Sequence, residues 1–123
     1  MSAPLRPLAD TGLEVHPLCL GGNVFGWTAD EPTSFAVLDA YVAAGGNVID
    51  TADAYAAWLG KGGGESETVI GAWMRARGNR DDLVIATKVG KTPGLDNLRP
   101  ETIRAAAEAS LRRLGTDRID LYY

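Results

Sequence analysis

Four short apolar segments recur along the chain at intervals of about 30 to 40 residues, and this spacing constrains the fold more than any other feature. The segments are VHPLCLGG, NVIDTA, DLVIATKVG and RIDLYY. Each of the first three is followed by a stretch with helical periodicity. Strand–helix–strand units of this size join parallel neighbours, so the sequence predicts a parallel sheet.

Three helices are predicted between these strands. The first covers DEPTSFAVLDAYVAAGG, the second begins near Glu65, and the third covers PETIRAAAEASLRRLG. The buried stripe of the third helix is predicted to comprise Ile103, Ala107, Leu111 and Leu114. Ahead of all of them, LRPLADTGLEVHPL indicates a small hairpin in which Gly12 supplies a positive φ.

A parallel sheet can be open and doubly wound or closed into a barrel. The run GGNVFG has the wrong glycine spacing for a dinucleotide fold, and Lys61 is followed by glycines rather than the Ser or Thr of a phosphate loop. The strands instead end in polar residues, as catalytic barrels do. We therefore predict an α/β fold of the (β/α)8 TIM-barrel type. Residues 1–123 would be the N-terminal part of a single barrel domain: the hairpin, three βα units and the fourth strand.

Bulk properties narrow the class of protein. The chain has 123 residues, 46% of them hydrophobic and 23% charged, which suits one globular domain. Its net charge of −4 argues against nucleic acid and anionic membrane as partners. The single cysteine, Cys19, lies in an apolar run and is expected to be buried. Without a signal peptide or a long apolar run, the protein is expected to be cytoplasmic and to have no membrane partner.

Three polar residues follow neighbouring predicted strands: Asp50, Tyr55 and Lys88. An ammonium beside a phenol stabilises the phenolate and makes the phenol a stronger acid. A carboxylate paired with that ammonium keeps it charged and in place. The set could therefore protonate a carbonyl oxygen. The alternative is an Asp–Lys ion pair at the barrel rim with the tyrosine as packing, and three residue types do not by themselves decide between the two.

Four ordered stretches, NVIDTADAY, GGGESETVIGAW, IATKVG and ASLRRLGTDRIDLYY, closely resemble the aldo-keto reductases, in particular bacterial members with a glycine-rich insertion after the tyrosine. LCLGGNVFGW is similar to the first strand and loop of that family. The resemblance implies a TIM barrel closed at its bottom by the hairpin, NADPH (or NADP) as cofactor, and reduction of aldehydes or ketones. The expected partner is thus a small-molecule carbonyl substrate.

The resemblance also assigns roles to residues. It implies that Tyr55 is the proton donor, that Lys88 makes Tyr55 more acidic, and that Asp50 holds Lys88. Gly22 and Asn23 match the loop near the nicotinamide, a site that Asp50 also borders. It implies no metal ligand. The substrate and the preference for NADPH over NADH stay open.

The family also has a catalytic histidine just after the fourth strand and a cofactor-binding segment near its last strands. The one histidine here, His16, falls in the hairpin at the opposite end of the barrel and is expected to be a surface or packing residue. The chain is therefore expected to be the N-terminal part of a reductase, inactive alone and able to self-associate through open sheet edges. The alternative hypothesis is a non-catalytic half-barrel that binds a partner or a second copy.

Other polar and aromatic residues near this stretch have simpler interpretations. Asp53 is expected to hydrogen-bond within its own turn, and Glu65 and Glu67 to cap the second helix. Trp58 could wall a substrate pocket or merely cover the rim, and for Trp27 loop packing is slightly favoured over a role beside the cofactor. The glycines after Tyr55 are expected to let that loop move over the site.

Overall fold

The computed structural model describes residues 2–123. A two-stranded hairpin comes first. Three helices then connect the four strands of a second sheet, in the predicted order. The strands are β1 (Arg6–Pro7), β2 (Glu14–Val15), β3 (Leu20–Gly21), β4 (Val48–Asp50), β5 (Val84–Thr87) and β6 (Leu121–Tyr122). The helices are α1 (Glu31–Ala43), α2 (Glu65–Arg77) and α3 (Pro100–Leu114), with short 3-10 helices at Ala57–Leu59 and Arg80–Asp82.

The strands β3 to β6 are all parallel and lie in sequential order, β3-β4-β5-β6. A doubly wound sheet reverses its strand order part-way, whereas a barrel keeps the chain order. The prediction of a partial (β/α)8 barrel is therefore confirmed at the level of topology. The hairpin pairs β1 with β2 antiparallel, and Gly12 at its turn has a φ of +77°.

The core lies between the sheet and the helices. β5 is buried along its whole length, as its unbroken apolar run predicts. Ile49, Ile70, Trp73 and Ile85 are fully buried there. The Trp73 indole N–H donates to Asp39 Oδ1 at 2.8 Å, so this contact also joins α2 to α1.

The buried face of α3 differs from the prediction. Its buried residues are Thr102, Ala106, Ser110 and Leu114. Of the predicted stripe only Leu114 is buried, and Ile103, Ala107 and Leu111 are partly exposed. The physical reason is close helix packing: a Cβ at Gly71 of α2 would collide with the carbonyl oxygens of Arg113 and Leu114. The close approach is at the C-terminal end of α3, and the buried face leading to it carries the small residues Ala106 and Ser110.

Cys19 is exposed, so the expectation of burial is wrong. It precedes β3 and lines an open pocket of about 450 Å³ together with Val48, Asp50 and Leu121. This pocket lies on the face of the sheet that carries no helix. The apolar run around Cys19 indicates a strand correctly, but it does not distinguish the helix-covered face from the open one.

Candidate active site

The parallel register brings the predicted site residues to one edge of the sheet. Asp50 is the last residue of β4 and pairs with Gly21 of β3 and Ala86 of β5. Lys88 follows the end of β5 directly, and the Asp53 N–H donates to the Lys88 carbonyl at 3.4 Å. The carboxyl ends of parallel strands meet at the same edge, which is where barrel enzymes carry their chemistry.

The Lys88 ammonium joins the three predicted residues. Its Nζ lies 2.7 Å from Asp50 Oδ2, 2.8 Å from the Thr51 carbonyl oxygen and 3.0 Å from the Tyr55 hydroxyl oxygen. An ammonium has three N–H donors, and each of these neighbours accepts one. Because Tyr55 accepts this bond, its own hydroxyl hydrogen stays available to a further acceptor. The arrangement fixes Lys88 and points to a phenol that can donate.

The electrostatics of Lys88 favour its charged form. Partial burial by itself would lower the pKa of the ammonium, but hydrogen bonds to Asp50 and Tyr55 outweigh it and raise the pKa above its ordinary value. The Lys88 and Asp50 side chains are 34% and 28% exposed, so the pair lies at a solvated rim rather than in the core. Lys88 therefore stays cationic throughout the physiological pH range.

Two pockets meet at Lys88 and Tyr123. One is the pocket of about 450 Å³ lined also by Cys19 and Asp50, and the other, of about 410 Å³, is lined also by Tyr55 and Trp58. A larger cleft of about 600 Å³ lies beside the C-terminal end of α3, at the opposite edge of the sheet. Space for ligands therefore adjoins the phenol and the carboxylate on both sides.

Two of the three residues predicted to border the cofactor, Gly22 and Asn23, differ in their exposure. Gly22 is buried, with its N–H donating to the Asp50 carbonyl at 2.8 Å and its carbonyl accepting from Ser66 Oγ at 2.6 Å. Asn23 is exposed next to it. Gly21, the last residue of β3, lines the pocket beside Asp50, and a Cβ added there would meet only Asn23 Oδ1, at 3.9 Å. This open strand end beside a carboxylate and an ammonium fits a polar cofactor ring, with Asn23 as the exposed amide.

Ser66 and Glu67, at the start of α2, form hydrogen bonds to residues at the carboxyl ends of the strands. Ser66 Oγ bonds to the Gly22 carbonyl at 2.6 Å and to Thr51 Oγ1 at 2.8 Å. Glu67 is fully buried and accepts from Thr87 Oγ1 at 3.1 Å. Thr51 follows Asp50 and Thr87 precedes Lys88, so these bonds connect α2 to the residues adjacent to the two charged site residues.

Glu67 does not cap its helix, so that expectation is wrong. The residue before α2 is Gly64, which makes no side-chain cap. Glu67 Oε1 instead accepts two bonds from Arg113 of α3, at 2.7 and 3.0 Å. A buried carboxylate requires such a partner. The missed signal was periodicity: position 67 lies three and seven residues before Ile70 and Met74, which are buried on the same helix.

The environment of Asp53 also differs from the one predicted from the sequence. Its side chain is 2% exposed, and neither carboxylate oxygen has a hydrogen-bond partner. Burial raises the pKa of Asp53 above its ordinary value. Burial, followed by the charges of Asp53 and Glu67, raises the pKa of Tyr122 to about 12, and the Tyr122 hydroxyl has no partner either. The expected bond within the turn of Asp53 does not reach hydrogen-bond geometry, although the Thr92 hydroxyl and the backbone of Ala54 lie close enough to oppose the rise in the Asp53 pKa.

The described part of the chain offers neither a metal centre nor a membrane span. Among residues 2–123, no three histidine, cysteine or acidic side chains are grouped so that they could hold a metal ion. Within the same range, none of the helices combines the length and the apolar character that crossing a membrane requires.

Comparison with known proteins agrees with the geometry of this edge. The sequence profile of the Aldo/keto reductase family matches residues 17–123. The chain belongs to this family. It is 43% identical to norsolorinic acid reductase stcV of Emericella nidulans over 136 aligned positions. This alignment covers 97% of the chain and 33% of that protein.

A solved structure and a short relative complete the comparison. The fold matches the holo form of an aldo-keto reductase from Bacillus halodurans with a TM-score of 0.80 and 34% identity, over 97% of this chain and 39% of that one. An uncharacterised 11.2 kDa protein of Pseudescherichia vulneris is 56% identical over 88 residues, which is 70% of this chain and 85% of that protein. The chain thus spans about a third of the length of the reductase that it matches.

Proposed function

We propose that the protein reduces aldehydes or ketones to alcohols with NADPH, and that this chain supplies the proton donor Tyr55 together with Lys88 and Asp50. The observation that carries the proposal is the position of Lys88 Nζ, 3.0 Å from the Tyr55 hydroxyl and 2.7 Å from Asp50 Oδ2. Membership of a family named for its reduction of aldehydes and ketones supports it.

Each residue has a separate task in this proposal. Asp50 holds the ammonium, and the ammonium stabilises negative charge on the Tyr55 oxygen as the phenol proton moves to the carbonyl oxygen. Asn23, and Gly22 directly after the end of β3, would border the cofactor ring beside Asp50. The cofactor, when bound, would supply the hydride. Its phosphates and adenosine would need residues other than these.

The experiment compares two tyrosines in the reductase reaction of the whole enzyme, since this chain spans about a third of the reductase that it matches, and follows the loss of NADPH absorbance. Tyr55→Phe removes the proposed proton donor and should lower kcat by roughly 10²–10⁴-fold while the melting temperature stays close to that of the wild type. Tyr41→Phe is the matched control, because the Tyr41 hydroxyl bonds to the backbone of Leu18 and Val48 in the core. It should lower the melting temperature and keep kcat. A Tyr55→Phe variant with near wild-type kcat would refute the role of Tyr55.

A second variant separates an electrostatic Lys88 from a structural one. Lys88→Met keeps the length of the side chain and removes the charge that stabilises the phenolate. Reduction should collapse at neutral pH, and the pH–rate profile of the activity that survives should differ from that of the wild type. A variant that is merely less stable, with an unshifted pH–rate profile, would contradict the electrostatic role.

One observation favours a second candidate function, a non-catalytic module that pairs with another chain. Within residues 2–123, β3 and β6 each pair with a strand on one side only, and open edges of this kind promote association. The Pseudescherichia vulneris relative, at 11.2 kDa, is of similar size. Light scattering on the 13.0 kDa chain tests this candidate. Because a reductase fragment with open edges is also expected to self-associate, only a dimer of defined stoichiometry that unfolds cooperatively supports the module, and a cooperatively folded monomer contradicts it.

A further inference from the structure

Two exposed tryptophans lie beside the proposed proton donor. Trp27 is 47% exposed and Trp58 is 55% exposed. Their ring centroids are 5.1 Å apart and their planes are inclined by 78°, an edge-to-face pair. Such a contact uses one face of one indole, so other indole faces stay open. Large aromatic side chains left open together mark a binding surface more often than packing.

The loop that carries Trp58 has a defined shape. Ala56 is fully buried at a φ of +67°, a conformation that is strained for a non-glycine residue. The 3-10 helix Ala57–Leu59 follows, closed by Gly60 at a φ of +75°. The Gly64 N–H then donates to the Tyr55 carbonyl at 3.2 Å and ties the end of the loop to its start. Strain kept at a buried residue suggests that the position of Trp58 relative to Tyr55 matters.

Trp58 and Tyr55 line the same pocket. It measures about 410 Å³, and Val89, Lys91 and Tyr123 contribute to its wall. This volume is within the range of small-molecule sites. The charged and acidic groups of its wall are Tyr55, Asp53 and two lysines, whereas the indole of Trp58 offers a broad apolar face.

We propose that Trp58, held in an edge-to-face contact with Trp27, determines substrate specificity by stacking on the flat ring of an aromatic aldehyde or ketone whose carbonyl meets the Tyr55 hydroxyl. This inference rests on the proposed reductase function, whose substrate class it narrows. A planar ring gains stacking energy on an indole face that a puckered saturated ring of the same size does not gain.

The first test measures binding without turnover. The indole N–H signals of the three tryptophans are followed by NMR while the protein is titrated with acetophenone or with cyclohexyl methyl ketone. The Trp58 and Trp27 signals should report a Kd about fivefold lower for acetophenone, the factor that one aromatic pair provides. Trp73, buried and bonded to Asp39, is the internal reference and should not move. Equal Kd values for the two ketones, or a Trp58 signal that neither ketone shifts, would overturn the proposal.

The second test measures specificity during turnover. Trp58→Leu should raise KM about fivefold for benzaldehyde and leave KM for butanal and both kcat values nearly unchanged, whereas Trp58→Phe should retain the preference for the aromatic substrate. Leu59→Ala is the matched control, since Leu59 is 41% exposed on the same 3-10 helix and does not line the pocket. An equal rise of KM for both aldehydes would show a merely structural loop and would overturn the proposal. Unchanged kcat in Tyr55→Phe would instead refute the reductase mechanism, and the NMR titration would still decide the role of Trp58.

Discussion

Glu67→Gln probes the buried connection between α2 and the strand ends. The substitution keeps the size of the side chain and an acceptor oxygen, but it removes the negative charge. In the native protein Glu67 is fully buried and receives two bonds from Arg113 and one from Thr87. The variant therefore leaves the Arg113 guanidinium in a poorly hydrated place without its counter-charge.

The expected loss follows from the exposure of the two partners. Breaking a buried ion pair by removing one member costs about 3–5 kcal/mol. The Arg113 side chain is 27% exposed and regains part of its hydration, so we expect the lower end, about 3 kcal/mol. For 123 residues the unfolding entropy is roughly 0.26 kcal/mol/K, which converts this loss into a Tm decrease of roughly 12 °C.

Thermal and urea unfolding, followed by circular dichroism, measure this loss. The control is Glu101→Gln, an exposed acid in the first turn of α3 whose removal should cost no more than about 1 kcal/mol. A double-mutant cycle with Arg113→Met then isolates the pair, and its coupling energy should exceed about 1 kcal/mol. If Glu67→Gln were no more destabilising than the control, or if the two sites were additive, the buried pair would not have the role argued for it.

Three further variants test other features of the fold. Gly71→Ala should cost more than about 2 kcal/mol of unfolding free energy, because its Cβ would meet backbone oxygens of α3. Gly12→Ala has no neighbour within 4 Å and should cost only about 1 kcal/mol, because of its positive φ. The urea midpoints of the two variants test this difference. Asp53→Asn should raise Tm at pH 7. The pKa of Asp53 is higher in the native protein than in the unfolded chain, so ionisation of Asp53 favours unfolding once the pH exceeds the unfolded pKa. The gain in Tm from Asp53→Asn should therefore shrink as the pH falls toward 4. A gain that is independent of pH would contradict this reasoning. Hydrogen bonds from Arg77 and then Trp73 lower the pKa of Asp39 from 3.8 to about 2. The Asp39→Asn variant should therefore be less stable than the wild type by the full amount above pH 3.8. This difference in stability should disappear as the pH falls through about 2, which a series of Tm measurements can follow.

The sequence predicted the features that depend on local pattern. Strand order, the starts and ends of the helices, and the meeting of Asp50, Tyr55 and Lys88 all follow from apolar periodicity and from the shared edge of parallel strands. The roles of these three residues stay a prediction until the variants are measured. The family membership is confirmed over residues 17–123.

The sequence pattern did not predict two features, the buried face of α3 and the partner of Glu67, because both depend on distances between helices. Hydrophobicity alone selects the wrong face of α3: Ala106 and Ser110 are buried while Leu111 is partly exposed, and Gly71 lets α2 approach the C-terminal end of this helix closely. Acids are common in a first turn, which favours a solvated Glu67, although its partner Arg113 lies 46 residues away. An ion pair that joins two helices has no local signature, since either charge alone also suits a solvated surface.

The glycine run between Tyr55 and Ser66 has a physical explanation that differs from loop mobility. Gly62, Gly63 and Gly64 have φ values of +91°, +88° and +90°. A Cβ at Gly63 would come within 2.8 Å of the Asp53 carbonyl oxygen, and one at Gly64 would meet the Arg113 side chain at 2.5 Å. The run therefore allows a close approach rather than free movement. It lets the chain pass from the phenol to the helix start that holds the strand ends, so the proposed proton donor and its support belong to one continuous segment.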